Sequence, residues 1–262
     1  MASLQTLVAF LPWLDWLALI AFVAIWVGYV RFARRHADVR PSLLATTNRY
    51  RHQWMLQSTY REVRVVDGIV IQNLSTSPSF FASTTILIIG GLLAVLGTSD
   101  KASALVQEIP FAARTSALVF DLKISLLLVV FVYAFFRFTW SLRQYSFGAM
   151  LVAAAPEAKF FEAMPDPDRE RQAFAAKAGR VVSLAAETFN DGLRAYYFAF
   201  AAVAWFFSPV AFMLAALGIV TILYHREFRS DVLDVLNVEP KMVEPAGIEP
   251  ASASHRRTDL HA

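Results

Sequence analysis

Four stretches of this chain are apolar over lengths that suit a membrane rather than a globular core. The hydrocarbon layer is about 30 Å thick, so a helix crossing it needs roughly 20 apolar residues. The first stretch, about 12–30, carries Asp15 as its single charge and is followed by Arg31, Arg34 and Arg35. A cleavable signal peptide places its basic residues before the apolar run. Here they come after it, so the pattern predicts a retained span, with Trp13 and Trp16 at the interface. The second, about 80–96, lies inside an uncharged stretch from Gly68 to Ser99. The third, about 120–142, has only thirteen uncharged residues between Lys123 and Arg137. It reaches span length if both flanking cations snorkel to the surface. The fourth, about 195–224, is uncharged throughout and reads as one tilted helix kinked at Pro209.

The connecting segments set the expected orientation. Eight arginines lie between Arg31 and Arg64, and eight lysines and arginines between Arg137 and Arg194. The N-terminal segment has none, the second loop three and the C-terminal region five. With four spans, the positive-inside tendency places both long loops in the cytoplasm and both termini in the periplasm. The first loop contains Asn48-Arg49-Tyr50-Arg51-His52-Gln53-Trp54-Met55, which reads as an amphipathic helix lying in the interface, arginines at lipid phosphates. Asp166-Pro167 opens a helix in the second, predicted over about 167–188. Its alanine content predicts close packing on a neighbour. The expected architecture is therefore an all-α integral membrane protein: a four-helix domain over residues 1–242, with amphipathic helices in two long cytoplasmic loops. Residues 243–262 are rich in Pro, Ser and charge, and are expected to be disordered. Their Ala246-Gly247-Ile248-Glu249-Pro250-Ala251 run resembles tails made by reading past a stop codon.

Composition narrows the chemistry. The chain is 57% hydrophobic and 17% charged, whereas soluble domains are about a quarter charged. A pI near 9.3 points to anionic headgroups as partners rather than nucleic acid, because no basic stretch stands clear of hydrophobic neighbours. Without cysteine there are no disulfides, thiolates or iron–sulfur ligands. His36, His52, His225, His255 and His261 show no metal-ligand spacing, and neither a Gly-rich phosphate loop nor a nucleophile elbow occurs. No enzyme, metal or cofactor is expected. Asp15 reads as a helix cap.

Two groups of residues merit attention. Ser83, Gly90 and Gly97 recur every seven residues, with Thr84 beside the first. Such a strip lets another helix approach closely, or lines a polar path. Close packing is the favoured reading. On the third span, Tyr133, Arg137, Trp140 and Gln144 share one helical face. An aromatic belt with snorkelling arginines is favoured there over an arginine turned into the bundle. Together with Arg143, Asn190, Asp191 and Arg194, Arg137 and Trp140 form a candidate functional or packing layer at the inner leaflet. Glu187 or Asp191 is expected to pair with Arg137 or Arg143. The halves also share a plan, Arg31-Phe32 and Arg137-Phe138 closing spans, and Asn73 and Asn190 preceding Phe80-Phe81-Ala82 and Tyr197-Phe198-Ala199 at equal offsets. This suggests a parallel repeat.

The stretches Ser79-Phe80-Phe81-Ala82-Ser83-Thr84-Thr85-Ile86, with Gly90-Gly91 following, and Trp140-Ser141-Leu142-Arg143-Gln144-Tyr145 resemble the bacterial membrane family called "domain of unknown function 599". So does Phe189-Asn190-Asp191-Gly192-Leu193-Arg194-Ala195-Tyr196-Tyr197-Phe198. The resemblance covers roughly Trp16 to Ser230 and implies a multi-pass inner-membrane protein, without supplying a reaction or ligand. The expected role is a non-enzymatic, homo-oligomeric membrane component whose cytoplasmic loops bind lipid or a partner. The alternative is an oligomeric channel or small transporter, anion-conducting through Arg137 or Arg194.

Overall fold

The computed structural model describes residues 11–36, 42–108 and 116–237, and these are helical with no strand among them. The helices are α1 (Trp13–His36), α2 (Leu43–Ser58), α3 (Val65–Gly97), α4 (Ser99–Gln107) and α5 (Ala117–Ala153). Then come α6 (Ala158–Glu162), α7 (Pro167–Val203), a single 3-10 turn (Ala204–Phe206), α8 (Pro209–Phe228) and α9 (Asp231–Asn237). Four are long and apolar enough to cross a membrane: α1, α3, α5, and α8 with its continuation. The 243–262 tail lies outside the described residues.

Local chemistry explains the helix ends. Ser116 Oγ accepts from Val119 N to start α5, and Asp166 Oδ1 accepts from Arg169 N, with Pro167 following, to start α7. Arg34, Arg35 and His36 close α1, where the helix dipole favours cations. The helix expected over 167–188 begins where the sequence placed it but does not stop there. It runs on to Val203, a 37-residue rod of about 55 Å.

The fourth apolar stretch is corrected by the structure. Residues 195–224 are not one kinked helix but two antiparallel arms. Pro209 has no N–H and its ring opposes a carbonyl four residues back, so α7 tightens into the 3-10 turn and ends. Ser208 Oγ then accepts from Ala211 N at 3.0 Å and α8 starts afresh in the opposite direction. The arms are tied at one end by Arg226 to the Tyr197 hydroxyl at 3.1 Å and by Arg194 to Glu227 at 3.8 Å. At the other, Trp205 stacks on Phe212 at 5.1 Å. One consequence concerns the termini. Trp13 lies at the Trp205 end of the bundle and Asn237 at the opposite, arginine-rich end, where it accepts from Thr46 and Arg49. The described chain ends therefore do not share a face.

Two apolar clusters fill the molecule. The larger joins α1, α3, α5, α7 and α8 around Phe22, Val130, Phe138, Phe198, Trp205 and Phe212, all 0–1% exposed. The smaller lies beyond the arginine-rich end, where α2 and parts of α3, α5 and α7 enclose Met55, Tyr145, Ala178 and Val182. Small residues on α7 permit these approaches. A side chain at Gly192 would run into the Phe138 ring, and one at Gly179 would stand 3.0 Å from the His52 backbone.

Helix α2 is held against the bundle. It runs antiparallel along the first half of α7, from Asn48 bonded to Glu187, to Thr59 bonded to Arg171. Several loop arginines are also engaged. Arg171 is 3% exposed, donates to the carbonyls of Thr59 and Ala158, and lies 4.1 Å from the Tyr60 ring. Arg64 donates to the carbonyls of Ala155, at 2.8 Å, and Pro156. They cap helix ends. The repeat is present in direction only. The pairs α1/α3 and α5/α7 run the same way, but α5 packs along α7 whereas the chief neighbour of α1 is α8.

Candidate functional site

Both cations flanking the third apolar stretch turn inward instead of snorkelling. Lys123 is 2% exposed and holds its ammonium 5.7 Å from the Trp205 ring. Asp15 is no cap for its own helix; its Oδ1 accepts from Trp205 Nε1 at 2.7 Å, fastening α1 to the reversal.

Arg137 is the more consequential case. It pairs with Asp191, as does Arg34 at 2.7 Å, while Arg194 reaches the other carboxylate oxygen at 3.1 Å. The expected bridge between α5 and α7 is thus Arg137–Asp191, and the arginine faces the bundle rather than an aromatic belt. A carboxylate with a side-chain exposure of 5% holds three guanidiniums, because two lone-pair directions on each oxygen suit several forked donors. Arg194 turns also to Glu227, which accepts the Leu44 amide at 3.3 Å. Glu187 pairs with Arg180 at 2.7 Å and accepts from Asn48.

These groups wall a cavity of about 770 Å³ between the two apolar clusters. The end of α1 supplies Ala33 and Arg34, α2 supplies Asn48, α5 supplies Arg137, Trp140 and Gln144, and α8 supplies Glu227. Helix α7 forms the floor with Arg180, Glu187, Thr188, Asp191 and Arg194. Four arginines meet three carboxylates, leaving one positive charge in excess. On this wall, two buried polar atoms lack a partner among the described residues: Nε of Arg137 and Oε1 of Gln144. Buried polar groups are normally satisfied by protein or by ordered water, so both call for a partner from within the cavity. Behind the wall, burial lowers the pKa of Arg51 from its ordinary value, against the opposing effects of Tyr145 and Glu187. Its guanidinium donates to Thr47 and Asn48.

Of the candidate layer, Arg137, Trp140, Asp191 and Arg194 come together at this cavity. Arg143 does not: it is exposed and makes no ion pair among the described residues. Asn190 is half-buried and off the cavity wall. Arg34, Asn48, Arg180 and Glu227 lie outside the sequence motif: Arg180 stands earlier on α7 itself, and the other three reach the cavity only through the packing of α1, α2 and α8. The Ser83, Gly90 and Gly97 strip lies elsewhere. It is exposed on α3, and nothing lies within 4 Å of a side chain built at Gly90 or Gly97. Thr84 donates to its own helix at the Phe80 carbonyl, as hydroxyls in apolar helices commonly do. No helix among the described residues packs on the strip.

Four helices long and apolar enough to cross a membrane make this a multi-pass membrane protein. The chain belongs to a family described as protein of unknown function, DUF599, whose profile matches residues 17–232. Comparison with curated proteins and with solved structures returned no match.

Proposed function

We propose that this is a non-enzymatic protein of the bacterial inner membrane that binds an anionic group in the cavity at its arginine-rich end, with that end facing the cytoplasm. The observation that carries this reading is the excess of guanidinium around Asp191, with Arg137 Nε–H left without an acceptor. Binding rather than bond chemistry is favoured because each carboxylate on the wall is paired with an arginine, leaving none set up as a general base. The orientation is supported by the reversal at Pro209. Among the described residues, seventeen lysines and arginines lie at the arginine-rich end or beyond it, against Lys101 and Lys123 at the other. Over the same described residues, four spans with both termini outside give fifteen against four, a shallower asymmetry. In this orientation the described N-terminal end is periplasmic and Asn237 cytoplasmic.

The test is a titration of the purified chain with sodium phosphate at constant ionic strength, read as thermal stability and compared with chloride. Phosphate should stabilise the wild type and leave R137Q unmoved. A ligand that binds only the folded state adds about 2.7 kcal/mol at one hundred times its dissociation constant. Equal behaviour of phosphate and chloride on the wild type would sink the reading.

A second reading, an oligomer in which α3 meets its counterpart or lines a shared path, is favoured by the uncovered strip of Ser83, Gly90 and Gly97.

A further inference from the structure

We infer that the anion is the phosphodiester of a membrane phospholipid, reached from the bilayer between α1 and α5. This rests on the anion-binding reading above and adds the ligand's chemistry and route.

Three observations converge. The first is the charge. With four arginines facing three carboxylates, one negative charge neutralises the cavity. A phosphodiester carries one, whereas a phosphate monoester carries about 1.5 to 2 at neutral pH. The second is unmet hydrogen bonding of both kinds. Arg137 Nε–H requires an acceptor, which a phosphate oxygen provides. Gln144 is 91% buried and its Oε1 requires a donor, which a headgroup hydroxyl or ammonium provides.

The third is position. The cavity lies where the apolar lengths of α1 and α5 end, at headgroup depth for a helix crossing the bilayer. Its most exposed charged wall residues are Arg34, at 63%, and Arg180, at 60%. Helix α1 packs on α8 and α5 on α7, so α1 and α5 meet through long side chains: Trp26 against Tyr133, and two arginines through Asp191. Along α5, leading to the cavity, the exposed residues are Val129, Tyr133 and Phe136, with Trp140 on the wall itself. An acyl chain lies against such a surface while its phosphate turns inward to Arg137. A free phosphate would make no use of it. The 770 Å³ volume is in the range of small-ligand sites and accepts a headgroup, leaving the chains outside.

The experiment separates the lipid from a soluble anion. The full chain, exchanged into a phosphate-free detergent, is titrated with dioctanoyl phosphatidylglycerol, with glycerophosphoglycerol (the same phosphodiester without acyl chains) and with inorganic phosphate, using native mass spectrometry and thermal stability. Dioctanoyl phosphatidylglycerol should bind at least about tenfold more tightly than either soluble anion. R137Q, and R34Q at the exposed mouth, should each weaken it by about tenfold, the loss of one charged hydrogen bond. R143Q, outside the cavity, should not. R34Q also serves if R137Q folds poorly. If the soluble anions bind as tightly as the lipid, this inference fails while the anion-binding reading stands. If neither class binds, both fail. If the lipid binds R137Q and R34Q as it binds the wild type, it sits on the outer belt and the inference is wrong.

Discussion

Asp191→Asn removes one charge and barely changes shape, so its effect isolates the electrostatics of the layer. Asp191 holds Arg34, Arg137 and Arg194, and these contacts are unequal. Arg34 is 63% exposed and contributes as a surface pair does, about 0–1 kcal/mol. Arg194 is 5% exposed and Arg137 27%, so their charges would be left facing each other in a low-dielectric layer. Removing one partner of a buried pair costs about 3–5 kcal/mol. Glu227 still faces Arg194 at 3.8 Å, which puts the expected loss near the lower figure, about 3 kcal/mol. Arg137→Gln should cost less, about 1–2 kcal/mol, because Asp191 keeps two arginines. The double variant should then be more stable than Asp191→Asn alone, since deleting Arg137 removes the uncompensated cation. Reversible unfolding in mixed micelles, followed by tryptophan fluorescence, measures all three. Added phosphate should restore part of the Asp191→Asn loss, because the cavity has gained positive charge. Wild-type stability in Asp191→Asn, or a double variant as unstable as the two single losses together, would refute this account.

Other outcomes follow from the packing. Gly192→Ala should lose about 1–3 kcal/mol by overpacking against the fully buried Phe138 ring, and Phe138→Leu should restore part of it. Met55→Ala, at a fully buried site in the smaller cluster, should cost about 2–5 kcal/mol and expose the α2–α7 contact to protease first. As the chain has no cysteine, single-cysteine variants report topology cleanly. In intact cells a membrane-impermeant maleimide should label Glu108→Cys and spare Tyr60→Cys and Val235→Cys until lysis; labelling of Val235→Cys in intact cells would overturn the reversal at Pro209. Gly90→Ile should leave monomer stability unchanged, since open space surrounds the site, and should lower the oligomeric mass in lipid if copies meet there.

What the sequence alone determined was composition in blocks and chemistry at helix ends. Apolar length marks membrane helices whatever their neighbours, so α1, α3 and α5 were legible. Asp166-Pro167 marked the start of α7 because a capping oxygen and a missing N–H act within one turn. The same signal stands at Ser208-Pro209, but the uncharged run around it presents the reversal as a kink. The length of that run was a warning: thirty helical residues reach about 45 Å, well beyond a hydrocarbon layer of about 30 Å. The third apolar stretch failed differently. Snorkelling treats a cation as facing lipid and water, and the sequence holds no record that Asp191 and Trp205 stand opposite Arg137 and Lys123. Small residues show the same limit. The regular strip at Ser83, Gly90 and Gly97 faces outward, while close approach occurs at Gly179 and Gly192. Which face of a helix meets another is a property of the bundle. The cavity is the strongest case. Arg34, Asn48, Asp191 and Glu227 lie far apart along the chain, and become neighbours only when α8 folds back on α7 and α2 stands against it. Local rules place each charge on its helix; the balance of four arginines against three carboxylates exists only in the assembled layer.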